Sequence, residues 1–236
     1  MEKIRTGVAG LDEMLGGGLI RNRVYLLCGG PGVGKTIFGM QFLAQGLKEG
    51  KKGMFISLED SVEELKENMA SFVWGQHKLK GIDILDATPE IKTGTWKIKG
   101  YAMYADVDLN VTNLINTIEK RTSFNKPERL VVDSVTSLEL MFSNEAEKRK
   151  AMLGFMRFLS AIGCTSLLIS ESDPNEPTSL GHLASGVIYF ASLIRDGGVR
   201  RVVQIQKMCG SDFDEQLRLY GFTNKGIVVL PKEKIV

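Results

Sequence analysis

A glycine-rich segment that ends in a lysine and a threonine constrains this chain most strongly. It reads Gly-Gly-Pro-Gly-Val-Gly-Lys-Thr from Gly29 to Thr36, and it follows the apolar run Val24–Cys28. Glycines allow backbone angles that turn successive amide N–H groups toward one point, and a helix beginning near Gly34 adds its positive end there. A strand, this loop and a helix in that order predict a phosphate-binding loop rather than a plain turn. Its candidate contacts are Gly29, Gly30, Pro31, Gly32, Val33, Gly34, Lys35, Thr36 and Ile37.

The same loop predicts what is bound. Lys35 brings a positive charge to the β- and γ-phosphates of a nucleotide, and the Thr36 hydroxyl is a hard oxygen ligand for Mg²⁺. Asp133 ends another apolar run, Arg129–Asp133, and is expected to hold the Mg²⁺ through water. Apolar strands that end in Asp are common, so the assignment of Asp133 depends on the loop. The expected cofactors are therefore ATP or ADP with Mg²⁺.

Short apolar runs alternate with amphipathic helical patterns along the first part of the chain. This alternation predicts an α/β fold with a mainly parallel twisted sheet flanked by helices. From Val187 onward, four apolar runs joined by short turns predict an antiparallel C-terminal extension. Residues 88–104 and 172–186 show no clear pattern, and no linker divides the chain, so a single domain over residues 1–236 is expected. The predicted strands are 24–28, 53–58, 82–85, 129–133 and 164–170, then 187–194, 201–208, 217–222 and 227–230, and the predicted helices are 35–47, 62–73, 110–122 and 144–162.

Composition excludes several classes of protein. Thirty Lys and Arg residues against 28 Asp and Glu leave a net charge of +2, which provides no general field for gripping nucleic acid or an anionic membrane. Three cysteines without a C-x-x-C pair, and two histidines, argue against a zinc site or a disulfide framework. No apolar run approaches the roughly 18 residues of a membrane span. A cytoplasmic protein without a membrane partner is expected.

Several blocks of the sequence resemble the KaiC-like ATPases of the RecA superfamily, in the stand-alone single-domain form of archaea and bacteria. The likeness extends from about residue 5 to about residue 231 and covers nearly the whole chain. It implies a RecA-like P-loop NTPase core, a hexameric ring, and ATP held between neighbouring subunits. The blocks are Thr6–Asp12 with Gly16–Gly18, the loop Gly29–Thr36, Phe55–Ser61, Val131–Ser134, Ala184–Ile188, and Gln206–Met208 with Gly210.

The resemblance also implies roles for carboxylates. In the family, a carboxylate just after the second strand activates the attacking water; here it is Glu59, with Asp60 where a second Glu is usual. The position agrees with the residues themselves, because open α/β sheets bind ligands at the carboxyl ends of their strands. Capping of the next helix by Asp60 or Ser61 is the alternative role. Ser170 with Glu171 occupies the position of a polar γ-phosphate sensor.

Lys207 matches the family's lysine that reaches the γ-phosphate bound by the next subunit. The family pattern is usually Lys-x-Arg, but Cys209 stands at the position of the arginine. A neutral thiol cannot make a bidentate phosphate contact, and an arginine finger contributes about 10³–10⁵ in rate. The departure predicts slow turnover and leaves Lys207 as the motif's sole finger. An exposed charge at the end of a strand is the alternative interpretation.

Three functions are consistent with these residues. A slow Mg²⁺-dependent ATPase acting as a homo-oligomeric ring, a hexamer, leads, and Glu59 favours it. An ATP-operated switch or scaffold with negligible turnover, serving an unidentified protein partner, is the second, and Cys209 favours it; the accessory subunit of the archaellum motor resembles this family and would be such a case. A recombinase-like DNA-binding ATPase comes last, because the loop Ser172–Ser185 is acidic to neutral and no extra DNA-binding domain is evident. Nucleic acid is thus the least expected partner.

Overall fold

A computed structural model describes residues 1–75, 79–89, 95–102, 105–172, 179–195 and 197–230. In this part of the chain the elements follow each other in the alternation that the sequence predicts. They are β1 Lys3–Ile4, α1 Leu11–Met14, β2 Leu19–Ile20, β3 Val24–Gly29, α2 Lys35–Lys48, β4 Gly53–Ser57, α3 Val62–Met69, a 3₁₀ turn Leu79–Gly81, β5 Ile82–Asp86, β6 Lys97–Ala102, β7 Ala105–Asp108, α4 Val111–Asn125, β8 Arg129–Asp133, α5 Val135–Glu139, α6 Glu145–Ala161, β9 Thr165–Ser170, α7 Ser179–Leu183, β10 Gly186–Arg195, β11 Gly198–Met208, β12 Arg218–Thr223 and β13 Gly226–Leu230.

A nine-stranded sheet organises the described residues, with strand order β13-β12-β11-β10-β3-β9-β8-β4-β5. The six strands from β10 to β5 run parallel, while β11, β12 and β13 extend the sheet in antiparallel fashion. The predicted α/β class is therefore confirmed. One detail differs: β10 was assigned to the antiparallel ending, but it pairs in parallel with β3 and is antiparallel only to β11.

Both faces of the sheet are covered, which explains why its strands are apolar without interruption. Along β3, Tyr25 and Leu27 pack on the face that α2 covers, whereas Leu26 packs on the opposite face with residues of α4 and α6. Helix α2 buries Phe38 and Phe42 against the sheet. The helix that follows the phosphate loop is thus held by a full apolar face, and its first turn is fixed relative to β3.

The predicted helix starts agree with the structure. Ser61 caps α3 and forms the expected capping box with Glu64, and Asn144 caps α6 by accepting from the backbone of Glu147 and its neighbour. The predicted end of α3 was wrong. The helix stops at Met69, and Val73, expected on its buried stripe, is 62% exposed.

The chain leaves the helix there because other contacts compete. Val73 donates its N–H to the main-chain oxygen of Asn224, and the indole of the buried Trp74 donates to that of Lys225. These bonds attach the segment to the β12–β13 turn. A tertiary contact therefore overrides a helical pattern that continues in the sequence.

The two unassigned segments contain regular structure in their described parts. Strand β6, Lys97–Ala102, pairs antiparallel with β7, Ala105–Asp108, and α7 lies within 172–186. No helix in the described ranges is long and apolar enough to cross a membrane.

Candidate functional site

The predicted phosphate loop connects β3 to α2 at the carboxyl edge of the sheet. Gly29, Gly32 and Gly34 have φ angles of 150°, 73° and 94°, which other residues rarely adopt. A Cβ at Gly34 would lie 2.6 Å from the ring of Phe222, and one at Gly29 would overlap the main-chain oxygen of Phe190. At Gly32 a Cβ would meet nothing within 4 Å, so the middle of the loop faces open space. The geometry therefore fits a cradle for an anion.

Lys35 is the first residue of α2, and only 7% of its side chain is exposed. Its Nζ donates to the carbonyl oxygen of Gly30 at 2.8 Å and lies 3.9 Å from Oε1 of Glu171. Burial lowers the pKa of Lys35, while the charges of Glu171, Asp133 and Glu59 oppose that effect. A buried ammonium with one long ion pair would gain from a phosphate in the loop.

Asp133 and Thr36 are brought together from β8 and α2, nearly one hundred residues apart. Asp133 is 6% exposed and accepts a hydrogen bond from the Thr36 hydroxyl. Burial raises the pKa of Asp133 to about 7; the charges of Glu59 and Asp60 add to this, and Thr36 and Lys35 oppose it. The positive charge near this carboxylate therefore does not offset the effect of its burial.

This donor set fits a magnesium ion. Thr36 and Asp133 offer hard oxygens side by side, and a nearby cation would relieve the electrostatic deficit at Asp133. Within the described ranges, no three His, Cys, Asp or Glu side chains form a cluster that could hold a metal by themselves. Mg²⁺ at phosphates does not need such a cage, because it keeps waters and takes phosphate oxygens as ligands.

Glu59 follows β4 and lies beside the cavity over the loop. The residue is exposed, yet its Oε1 accepts hydrogen bonds from two buried hydroxyls, those of Ser134 and of Ser137 at 2.8 Å. It is close enough to Lys35 and Asp133 to affect the pKa values of both. A carboxylate fixed at one oxygen beside the predicted metal ligand is placed to orient a water molecule.

Asp60 also lines this cavity, and it does not cap α3, since Ser61 does. Burial raises the pKa of Asp60, and the charges of Glu64 and Glu59 add to the effect. The capping alternative considered for Asp60 is therefore wrong, whereas Ser61 takes that role.

The cavity over the loop has a volume of about 660 Å³, within the range of ordinary ligand sites. Lys35, Thr36 and Asp133 lie along it, and Glu59 and Glu171 face the same space. The same lining includes two aromatic rings, Phe72 and Phe222, and the polar side chains of Asn68 and Ser71. Aromatic and amide side chains beside a phosphate cradle could hold a nucleoside base.

Lys207 lies at the opposite edge of the sheet from the loop. It pairs with Val187 near the start of β10, whereas Phe190, further along β10, pairs with Gly29. Its Nζ donates to the main-chain oxygens of Gly181 and His182 at the end of α7. The structure therefore does not bring Lys207 together with the other predicted catalytic residues of the same chain.

Comparison with known proteins agrees with this geometry. A family model described as "ATPase: KaiC" matches residues 4–234. The chain belongs to the KaiC family of ATPases. The chain is 33% identical to a UPF0273 protein of Pyrococcus furiosus, over 98% of this chain and 95% of that protein. A UPF0273 protein of Thermotoga maritima is also 33% identical, with 99% and 98% covered.

A solved structure of the KaiC family shows the same fold. The crystal structure of a KaiC-like protein from Pyrococcus horikoshii matches with a TM-score of 0.82 and 29% identity, and the match covers 98% of this chain and 99% of that one. A circadian clock protein, KaiC3 of Synechocystis, is 28% identical over the whole of this chain but over only 47% of its own length. The predicted resemblance is confirmed, and the relatives that match over nearly their whole length are the stand-alone type.

The resemblance implied an arginine at position 209, where this chain has a cysteine. Cys209 is exposed, and its main-chain oxygen accepts a hydrogen bond from Nη1 of Arg23 at 2.6 Å. The turn after Lys207 is thus held by an arginine that precedes β3. The Cys209 side chain itself makes no charged contact at this edge among the described residues.

The sequence did not predict that Phe72 and Phe222 line the cavity, or that two serine hydroxyls bond to Glu59. Phe222 was predicted only as part of a strand, and Phe72 only as core. Ser134 was noted for its place in the KaiC-like block, without a contact. Ser170, predicted as a sensor, is buried and donates to Ser172 at 3.3 Å, while its neighbour Glu171 reaches Lys35.

Proposed function

We propose that the protein is a Mg²⁺-dependent ATPase that binds its nucleotide in the 660 Å³ cavity and works as a ring. One observation supports this above all: the start of α2, the end of β8 and the segment after β4 place Lys35, Thr36, Asp133 and Glu59 around that cavity. Nothing in the local sequence of any one of them requires the others to be near. Their convergence at the carboxyl edge is what a phosphoryl-transfer site needs.

Each residue has a defined part in this proposal. The loop amides and Lys35 bind the β- and γ-phosphates and hold the γ-phosphate in one orientation. Thr36 and Asp133 would hold Mg²⁺, which supplies neutralisation of the charge that develops on the phosphate oxygens. Glu59 orients a water molecule toward the γ-phosphate and accepts a proton from it.

Completion of the site requires a second copy of the chain. Lys207 lies several strand residues from Gly29 on the far side of β10, at about 3.3 Å per residue, and its ammonium points to α7. It therefore serves phosphate only when a neighbouring subunit presents its own loop to this edge. We propose a closed ring, a hexamer, with one nucleotide at each subunit boundary.

The test compares turnover with assembly. Phosphate release and the mass in solution, with and without ATP and Mg²⁺, are measured for wild type, Lys35→Ala, Glu59→Gln and Lys207→Ala. We expect Lys35→Ala to abolish nucleotide binding, and Glu59→Gln and Lys207→Ala to keep binding but lose turnover. Wild-type rates in all three variants would reject the mechanism.

A second candidate is an ATP-operated switch that assembles on a protein partner with negligible turnover. Cys209 favours it, because the arginine that would complete the finger is replaced by a neutral thiol. The two candidates differ in one measurement. A switch binds ATP tightly and changes mass with it, but wild type releases no more phosphate than Glu59→Gln.

A further inference from the structure

The hydroxyls of Ser134 and Ser137 converge on one oxygen of Glu59. Both donate to Oε1, Ser137 at 2.8 Å, and the two hydroxyl oxygens lie 3.4 Å apart. The serines are 0% and 5% exposed, whereas the glutamate is exposed. Across the described residues no group donates to Oε2. One oxygen of this cavity-lining residue is thus anchored in the protein, whereas the other is not.

Neither hydroxyl makes the hydrogen bond that its position at the start of α5 favours. Ser134 is the N-cap of α5, where a serine side chain normally accepts a bond from the helix backbone, worth about 1 kcal/mol. Here it makes no capping bond. Ser137 lies inside α5, where a hydroxyl commonly bonds the carbonyl four residues earlier, yet it bonds Glu59 instead. Local helix stability therefore does not explain either contact.

The order of the residues along the chain links these contacts to the predicted metal site. Asp133 ends β8, and the next residue and the first turn of α5 supply the two donors. The predicted metal ligand and the anchor of the predicted base thus belong to one short segment. These two hydrogen bonds therefore hold the Glu59 carboxylate at a set position relative to Asp133.

We propose that Ser134 and Ser137 are positioning residues for ATP hydrolysis, a role that depends on the proposed function of Glu59. The two donors stabilise the ionised carboxylate and restrict an otherwise exposed side chain to one rotamer. Oε2 is then the oxygen that takes up the water proton. A misplacement of a catalytic group by about 1 Å costs on the order of 10²-fold in rate, so the anchor affects kcat and leaves nucleotide binding unchanged.

The test separates this role from a structural one. Ser137→Ala and Ser134→Ala are compared with Ser137→Thr, which keeps a hydroxyl, and with Ser166→Ala. Ser166 is a matched control because it is fully buried in β9 and its hydroxyl has no hydrogen-bond partner among the described residues. We expect Ser137→Ala to lower kcat by about tenfold or more at unchanged ATP affinity, and Ser137→Thr and Ser166→Ala to stay near wild type.

One further readout responds only to a role through Glu59. In a Glu59→Gln background, Ser137→Ala has no further effect on turnover. Wild-type kcat in Ser137→Ala, beside a dead Glu59→Gln, would overturn this inference and leave the proposed function standing; an active Glu59→Gln would remove the proposed function itself. Should Ser134→Ala not fold, Ser137→Ala with its threonine rescue decides alone.

Discussion

The ammonium nitrogen of Lys207 lies 3.0 Å from the main-chain oxygen of His182. That oxygen belongs to the end of α7, just before β10 begins, and the phosphate loop lies at the other end of the same parallel strands. The main-chain oxygens that hold Lys207 are neutral acceptors, so a phosphate would be a stronger partner for its charge. In the proposed ring, Lys207 would leave α7 for the nucleotide of a neighbouring subunit.

Mixing two inactive variants tests this arrangement. Lys35→Ala cannot bind ATP, and Lys207→Ala lacks the finger, so each alone should release little phosphate. In mixed rings, a Lys207→Ala subunit binds ATP and receives Lys207 from a Lys35→Ala neighbour. We expect phosphate release to reappear on mixing, in proportion to the fraction of such boundaries.

The control is a mixture of Lys35→Ala with a Lys35→Ala/Lys207→Ala double variant, which offers no complete boundary. No recovery in the first mixture, despite proven subunit exchange, would mean that Lys207 does not act across subunits.

Replacement of Cys209 by arginine should accelerate hydrolysis. The side chain is exposed two residues after Lys207, and the local main chain is held by Arg23, so a longer side chain does not disturb the turn. A guanidinium there can contact phosphate with two parallel bonds. We expect Cys209→Arg to raise kcat by about tenfold or more, still below the full contribution of an arginine finger. Cys209→Ser is the matched control, and a rise in that variant too would refute the charge argument.

Removal of the Phe222 ring should weaken binding of the base while the phosphates still bind. Phe222 lines the cavity, and its ring packs against Gly34. Base stacking on an aromatic ring contributes about 1–3 kcal/mol, so Phe222→Ala should raise the Kd for ATP by at least about fivefold. Calorimetry with ATP measures binding of the whole nucleotide, and calorimetry with tripolyphosphate measures binding of the phosphates alone. Phe222→Tyr serves as the control. Equal losses for both ligands would place the effect in the loop.

The phosphate-binding part of the site could be predicted from the sequence because its requirements lie within one short segment of the chain. The loop from Gly29 to Thr36 requires particular backbone angles at fixed spacing, and such a requirement is visible in a single short segment. The position of Asp133 follows from the rule that parallel strands end at one edge. Phe72 and Phe222 line the same cavity although they are 150 residues apart in sequence, and no local pattern marks either ring as part of a ligand site.

The same distinction, between local patterns and contacts across the sequence, explains which parts of the fold could be predicted. Strands buried on both faces were visible as apolar runs, and caps such as Ser61 with Glu64 marked the helix starts. The end of α3 was misplaced because Trp74 and its neighbour bond to the β12–β13 turn, a contact that sequence periodicity does not contain. Helix α5, Val135–Glu139, is too short for a helical repeat of apolar residues to be recognised in the sequence.

Asp133 should make the stability of the ligand-free protein depend on pH. Its folded-state pKa, about 7, lies above the usual value of 3.8, mainly because of burial. The folded protein therefore binds this proton more tightly than the unfolded chain does. The resulting stabilisation is complete below about pH 4 and is lost as the pH rises through about 7.

Comparison with Asp133→Asn isolates this contribution, since the amide is neutral at every pH. Without Mg²⁺ and nucleotide, the free energy of unfolding of wild type minus that of Asp133→Asn should fall between about pH 5 and about pH 8. Each pKa unit corresponds to about 1.4 kcal/mol, so urea titrations at the two pH values resolve the change. A difference that stays constant, or that grows with pH, would show that Asp133 is already ionised in the folded protein at pH 5. The proposed magnesium ligand would then need no neighbouring cation to hold its charge.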